Sequence, residues 1–354
     1  MANVARTIGT VGRDYSTIAA WESDLADTSI YASGDSAEAS CYADSDFSET
    51  LSINGVFDLS GIHLTCDVTQ RHDGTAGSGV VIKPASAGSY TVNVFESNTT
   101  ISWLEINGND SGAYGLRFNT GLSGCSVQNC LIHNFGSTSV SSTDVYIMRN
   151  RSPVSFTNNF IFNNTSGSSA DLFVHHSDTS VASYVYNNTY YYNNVGDSSS
   201  NDGYIFYGTL ENEGSVAKNI VVLRYSDSYW NAKHSSATLD YWGAVGAITG
   251  VSNVTTDTYA NSFIDTSTSD PDLHLKTGCN FIDAAVDVGT SPTNVEIDIN
   301  GNNRDTGGVT WDLGAHEFGL SPPSAVGKKI KANTRFHLFH GVEGFGAFST
   351  EFNF

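Results

Sequence analysis

Five segments of the chain repeat one pattern at an almost constant interval, and this restricts the fold more than any other feature. They run over 101–107, 128–134, 158–164, 188–194 and 218–224, with starts 27, 30, 30 and 30 residues apart. Each is a short apolar stretch of strand-forming residues bounded by Asn or polar turn residues. A second series falls between them, at 115–119, 144–149, 171–175 and 204–208, and a third leads into the first, at 125–127, 154–156 and 184–186. Three short strands in 27–30 residues, with no helical period between them, predict one coil of a parallel β-helix. In such a solenoid each coil buries its inward side chains only against the coils above and below, so repetition is a condition of stability. Asparagine-rich turns also suit an antiparallel sandwich, and the regular spacing favours the solenoid.

Aligned on the repeat, one predicted column reads Leu104, Leu131, Ile161, Tyr191, Val221 and its neighbour Trp103, Cys130, Phe160, Tyr190, Ile220. Asn107, Asn134, Asn164 and Asn194 close four of the five segments and are expected to stack as an amide ladder, each satisfying its neighbour and the turn backbone. Earlier strands at Leu51, Ile62, Val80 and Thr91 extend the array. The one clear helix begins after Asp14, where Ser16 is the expected N-cap and Ile18, Trp21 and Leu25 share a face. An open solenoid end exposes unpaired backbone, so this helix is assigned as the cap.

The charge balance narrows the partners. With 37 acidic against 16 basic residues, net charge is −21, which argues against nucleic acid and against anionic membrane surfaces. No apolar run is long enough to span a bilayer, and the first residues lack the apolar core of a signal peptide. The five cysteines form no CxxC pair and read as small buried residues rather than as a disulfide framework.

The C-terminal third carries a resemblance. DPDLHLKTGCNFIDAAVDVGT from Asp270 to Thr290 is followed by DINGNNRD from Asp298 and WDLGAHEF from Trp311. This is similar to the closing module of pectate-lyase-like parallel β-helix surface and virion proteins of tailed phages and bacteria. Their pattern is DxHLxxGSPAIDAG, then DxxGxxR, then DIGAYE. Here Cys279, Asn280 and Phe281 replace Ser-Pro-Ala, and Leu313 and His316 replace Ile and Tyr. The match covers about fifty residues and specifies the module, not an activity. RTIGTVGRDYSTIAAWESDL, from Arg6 to Leu25, more weakly resembles the opening of phage β-helix proteins. The resemblance implies a right-handed solenoid, in line with the chirality of parallel crossovers, and a virion location after synthesis in a host cytoplasm.

Beyond a Ser-Pro-Pro linker, Phe336, Phe339, Phe345, Phe348, Phe352 and Phe354 follow a basic run and alternate with glycine. Apolar clusters of this kind mark interfaces. Two readings stand for 321–354: docking on other virion proteins or a homo-oligomer such as a trimer, or folding back over the solenoid end.

Catalytic motifs are missing from the sequence. His175, His176, His337 and His340 lack companion metal ligands and read as surface or stacking residues. No cofactor is expected; calcium is the sole candidate, through Asp298, Asn300 and Asn302. There Gly301 falls at position four and Val309 at position twelve, where the loop needs Gly at six and Glu at twelve. The competing reading is a turn tied by Arg304 and Asp312. Glycan hydrolysis needs two carboxylates about 5–10 Å apart, and the repeat strands are short of acids. Glu105, Asp144 and Asp171 are the candidate catalytic acids, with turn roles as the alternative. Tyr190, Tyr191 and Tyr192 put rings on both faces of one strand, and the outward ones would stack on sugars or a neighbouring subunit.

The expected chain is therefore all-β: a capping segment over 1–40, a parallel β-helix over 41–260, a closing module over 261–319, and a linker with an aromatic docking tail over 320–354. The expected role is a non-enzymatic virion subunit, a capsid decoration, spike or fibre, with glycan or host-surface binding on a solenoid face. A polysaccharide depolymerase, lyase or hydrolase, is the alternative, and a bacterial surface adhesin the second.

Overall fold

In the computed structural model, the described residues are 2–320 apart from 56–57, 86–88, 111–113, 137–143, 167–170, 178–180, 192–193, 196–202, 209–213, 224–227, 231–236, 245–250, 268–269 and 307–309. The aromatic tail with Phe336, Phe339, Phe345, Phe348, Phe352 and Phe354 lies outside them, as do Tyr192, His337 and His340. What is described is nearly all β, in long sheets of parallel strands.

Parallel pairing links each strand to its counterpart one repeat later. A 16-stranded sheet has two arms. The first starts at Asn3–Ile8, runs through Ser36–Cys41, Gly61–Cys66, Thr99–Ser102, Cys125–Gln128 and Val154–Thr157, and reaches Tyr184–Tyr186. The second runs from Phe47–Ser48 and Val81–Lys83 through Glu105–Asn107, Leu131–His133 and Phe160–Phe162 to Thr189–Tyr191. The long strand Val216–Leu223 joins them, pairing Val216 with Tyr184 at one end and Val221 with Thr189 at the other. A separate 7-stranded sheet holds Leu51–Ile53, Tyr90–Val94, Tyr114–Phe118, Val145–Asn150, Leu172–Ser177, Gly203–Tyr207 and Ser228–Trp230. Pairing begins at Asn3, inside the segment assigned to the N-terminal cap.

Paired asparagines form the turn between the arms. Asn129, Asn158, Asn187 and Asn219 sit at φ of 54, 56, 53 and 57°, the left-handed region that Asn tolerates better than other residues with a side chain. The residue after each turns inward. Asn159 Oδ1 accepts from Cys130 N, Asn188 Oδ1 accepts from both Asn159 N and Asn159 Nδ2, each at 2.9 Å, and Asn188 Nδ2 donates to Phe156 O at 2.8 Å. These amides are fully buried, so their bonds replace water that the core excludes. This ladder precedes the second-arm strands, one turn earlier than the predicted set. Of that set, Asn164 accepts from Phe135 N and donates to Ile132 O, Asn107 accepts from Asn109 N in its own turn, and Asn134 adopts a left-handed φ of 57°. The side chain of Asn194 lies outside the described residues.

Two apolar clusters result. The inner one gathers Ile101, Val127 and Phe156 from the first arm, Ile106, Ile132, Ile161 and Tyr190 from the second, and Val92, Leu116 and Met148 from the 7-stranded sheet. Full burial of each such side chain contributes about 1.5–3 kcal/mol. The predicted columns are corrected by one residue: Ile106, Ile132, Ile161 and Tyr190 are in register, and Glu105, Leu131, Phe160 and Thr189 form the adjoining row. The outer cluster puts Leu131, Phe160, Phe162 and Tyr191 beneath Phe263, Leu273, Phe281, Val295, Trp311 and Leu313. Residues 263–318 thus pack along the outside of the second arm. Strands buried on both faces read as unbroken apolar runs, which is why this series dominates the sequence. It also overturns a solvent-facing role for Tyr190 and Tyr191. Tyr190 is buried inside with its hydroxyl 2.6 Å from His175 Nε2, and Tyr191 is buried under 263–318 with its hydroxyl on Thr266 O.

The helix Ile18–Ser23 buries Ile18 and Trp21, with Leu25 beyond it, in the inner cluster. Its N-cap is Thr17, whose Oγ1 accepts from Ala20 N, rather than Ser16. The Glu49 carboxylate takes the next free donors, Ile18 N and Ala19 N. All five cysteines are buried and unpaired.

Replacing Asn188 by Ala leaves both Asn159 donors without their acceptor and should lower the unfolding free energy by about 1–3 kcal/mol per orphaned group. Asn107→Ala, at a half-buried strand end where the amide bonds to Asn109 N and, at 3.4 Å, to Glu105, should cost less, about 1 kcal/mol or under. Urea denaturation of the two variants checks this; equal losses would remove the ladder from its structural role.

Candidate functional site

A concavity of about 620 Å³ runs along the outer face of the first arm. Strands there expose every second residue, and the exposed residues line up in register: Glu38, His63, Thr100, Ser126, Ser155 and Tyr184. At about 4.8 Å between strands, His63 to Tyr184 spans about 19 Å. Small hydroxyl residues keep the middle of this row low, and Tyr184, 37 % exposed, stands at one end. The far wall is the turn Ser291, Pro292, Thr293 and Asn294. Asn158 Nδ2 holds that wall by donating to Asn294 O at 3.2 Å and Val295 O at 3.1 Å, and Asn187 Nδ2 adds a bond to Val295 O at 2.9 Å. One asparagine column therefore sets both the strand register and the wall of the groove.

Polar contacts run along this row and into the buried layer beneath it. Thr100 Oγ1 and Ser126 Oγ lie 3.0 Å apart, His63 Nε2 is 2.7 Å from Ser102 Oγ, and Ser102 Oγ donates to Thr65 Oγ1. His63 Nδ1 is 3.8 Å from Glu38 Oε2. The His63 hydrogen bond holds the Glu38 carboxyl below the usual range, in spite of partial burial and with help from Asn3. The lining offers hydroxyls, amides, one imidazole and one aromatic ring, with no Asp or Glu among its described residues. The chemistry of these groups is that of hydrogen bonding along the row and of ring stacking at Tyr184.

The three candidate acids do not converge here. Glu105 lies in the second arm, 2 % exposed, at the bottom of a separate cleft of about 270 Å³. Its oxygens are 3.0 Å from His133 Nε2 and 2.5 Å from Gly77 N. Burial raises its pKa, but His133, Gly77 and Asn107 together outweigh burial and bring it below the ordinary value. Asp144 and Asp171 open neighbouring strands of the 7-stranded sheet. Asp144 Oδ1 accepts from Asp171 N at 3.2 Å and Oδ2 from the Tyr146 hydroxyl at 3.3 Å, as a strand-start acid would. The groove was visible in sequence only as the Ser of Cys-Ser-Val and Val-Ser-Phe. Hydroxyl residues at outward strand positions attract no attention until the register aligns them.

The calcium candidates are engaged in the 263–318 segment. Asp298 accepts from Asn300 N, Asn302 N, Asn302 Nδ2 and Glu317 N at 2.7–3.1 Å, and Asn300 Oδ1 is 3.0 Å from His274 Nε2. No group of three or more His, Cys, Asp or Glu side chains suited to a metal occurs among the described residues. Arg304, fully buried, donates to Glu317 Oε2 at 2.7 Å, Asp312 O at 3.2 Å and Gly314 O at 2.8 Å. This ties the turn through the Asp312 backbone and through Glu317, the acid that the sequence reading passed over.

Buried titratable groups set the pH response. Burial pushes Asp312 up to about 6 and Glu317 up to about 7, so the folded chain holds protons there that the unfolded chain has released. Burial also depresses His72 to about 4, His175 to about 3 and His316 to about 2, so below about pH 6.5 the unfolded chain gains protons that the folded chain refuses. The carboxyl contribution grows as pH falls through 7 and 6, and the imidazole contribution is lost as pH falls through 6.5. Burial raises Asp298 as well, so above about pH 5 three imidazoles stand against three carboxyls and largely offset one another. Below that range the raised carboxyls are protonated in both states, and the lowered carboxyls of Glu38 and Glu105 join the imidazoles, so the unfolded state binds more protons and stability declines. The melting temperature should change little between about pH 8 and 6 and fall below about pH 5; a rise below pH 5 would overturn this balance.

No family model matches this chain, and no curated protein matches it.

Proposed function

We propose that the chain is a non-enzymatic subunit of a tailed-phage virion, a capsid decoration, spike or fibre, that binds an uncharged glycan in the groove on its first arm. The groove carries this reading: a straight row of hydroxyl side chains ending on an exposed tyrosine, walled by residues 291–294. A right-handed parallel β-helix with three strands per coil, capped by the N-terminal helix, supplies a rigid face on which such a row stays in line. The resemblance of the opening and of residues 270–318 to phage β-helix proteins supports the virion setting. The lining, without Asp or Glu among its described residues, and the hydrogen bonds that hold the Glu105 and Asp144 carboxylates weigh toward binding rather than cleavage. In this reading residues 321–354 dock the subunit on other virion proteins or in a trimer.

Quantitative mass spectrometry of purified particles tests the setting. The protein should be present in fixed ratio to the major capsid protein, and deletion of 321–354 should remove it; its absence from particles would overturn the virion reading. Ser126→Trp fills the middle of the groove on a solvent-facing position and should lower affinity for neutral oligosaccharides at least tenfold with unchanged melting temperature. Undiminished binding would exclude the groove.

A further inference from the structure

The cleft of about 270 Å³ over the second arm holds two titratable side chains that the groove does not use. One outward row of that arm is apolar at Phe162 and turns polar toward the N-terminal coils, where His133 is in register with Phe162 and Asn107 with His133. The Phe162 ring lies 4.6 Å from the His133 ring at an interplanar angle of 5°, so it occupies one face of the imidazole. The other face looks toward Asn107, on the side of the cleft that both residues line. Glu105 and His133, each 2 % exposed, line it as well and meet at 3.0 Å through Oε1 and Nε2.

The two members of this pair are not equally satisfied. Glu105 also accepts from Gly77 N and, at 3.4 Å, from Asn107 Nδ2. With Nε2 donating to the carboxylate, Nδ1 of the neutral imidazole is an acceptor. It is buried, and no described group bonds it. A buried acceptor without a donor is costly, and a donor brought by a ligand removes that cost. The charges around it point to the kind of donor. Lys83 Nζ donates to Asp46 at 2.8 Å, so those two cancel. Asp270, exposed at the cleft, meets no cation among the described residues. Three carboxylates therefore stand against Lys83 and, when it is protonated, His133, and the lining is negative in either state of the imidazole.

We propose that this cleft binds the primary ammonium group of a small molecule, which donates to His133 Nδ1 in the negative field of Glu105 and Asp270. An ammonium is compact and carries three donors and no acceptor. A hydroxyl would satisfy Nδ1 but leave the charge of the lining uncompensated. A metal ion is a poorer fit, since no group of three or more His, Cys, Asp or Glu side chains suited to one occurs among the described residues. The volume admits one small molecule and lies at the low end for ligand sites. An amino sugar and an aliphatic amine offer the same group. The inference is independent of the groove on the first arm.

The full chain, with isotope-labelled imidazole nitrogens, is titrated with glucosamine and putrescine, and with N-acetylglucosamine as the uncharged control. At least one amine should release heat in the calorimeter and move the His133 Nδ1 resonance, assigned by its loss in His133→Gln; the acetylated sugar should do neither. Binding of glucosamine alone makes the source an amino sugar, and binding of putrescine extends it to aliphatic amines. Asp270→Asn, at an exposed position, should weaken binding at least tenfold with unchanged melting temperature, and about 0.5 M salt should weaken it in the wild type. Ser126→Trp should leave it untouched, which separates failure of the cleft from failure of the groove. No binding of either amine at about 10 mM would overturn the proposal. So would equal binding of the acetylated sugar, a His133 resonance that stays still, full affinity in Asp270→Asn, or displacement of the amine by calcium chloride at constant ionic strength.

Discussion

The turn between the two arms of the large sheet depends on a pair of neighbouring amides with opposite duties. At Asn158-Asn159 and Asn187-Asn188 the first residue adopts a left-handed backbone and the second drops its side chain into the core. The inward amide bonds to the preceding repeat's backbone, and Asn159 also to the next repeat's amide, so each repeat is indexed to its neighbours before any apolar packing is counted. The outward amide reaches the carbonyls of 294–298, as Asn129, Asn158 and Asn187 each show. A residue with no amide at the first position would lose the backbone tolerance and the outward bond together. A residue with no amide at the second would leave core donors unpaired, which costs more than the bond itself returns.

That indexing accounts for how the outer faces divide. The second arm is covered by residues 263–318, and its outward side chains are Leu131, Phe160, Phe162 and Tyr191. Close approach there is written into Gly314, where an added Cβ would meet Thr189 Oγ1 at 2.5 Å, and into Gly243, where it would meet the Phe281 ring at 2.8 Å. The covering segment is itself braced by the buried pair of Arg304 and Glu317 and by four donors on Asp298. A buried ion pair is weak evidence for net stability. Its role here is directional: the guanidinium gathers the carbonyls of Asp312 and Gly314 and so fixes the loop that lies against the sheet.

Much of the architecture was legible because apolar periodicity reports burial, and the second-arm strands are buried on both faces. The same property hid their register. In an unbroken apolar run such as Phe160, Ile161, Phe162, nothing in the pattern says which residues face inward, and a one-residue slip exchanges the two faces; the predicted columns contained that slip. The ladder was placed on Asn107, Asn134, Asn164 and Asn194 because both turns of the repeat are rich in asparagine. Composition does not tell an amide that closes a strand from one that opens it. The helix was found by its apolar face, while its cap shifted from Ser16 to Thr17, since both hydroxyls suit the position. The groove went unread for a different reason. Thr100, Ser126 and Ser155 are unremarkable singly, and only parallel register, a property of strands about thirty residues apart, places them in one line.

The outer faces of the first arm and of the 7-stranded sheet differ in chemistry, and the difference follows from what each sheet turns away from the core. Over Thr100, Ser126 and Ser155 the first arm alternates apolar with small hydroxyl residues, so that stretch of its outer surface is low and rich in hydrogen-bonding groups, with Glu38 and His63 at one end of the row. The 7-stranded sheet alternates core residues such as Leu116 and Met148 with Tyr114, Tyr146, Arg117 and Arg149, so its surface is tall, aromatic and locally cationic. Strand spacing imposes the same step of about 4.8 Å on both. Any extended ligand that crosses the strands meets one side chain per step on either face. The two faces differ in charge: small hydroxyl residues stand in register on one, and Arg117 and Arg149 on the other. A single turn chemistry, repeated at the asparagine pairs, thereby fixes the geometry of both surfaces while leaving their specificity to the residues between the turns.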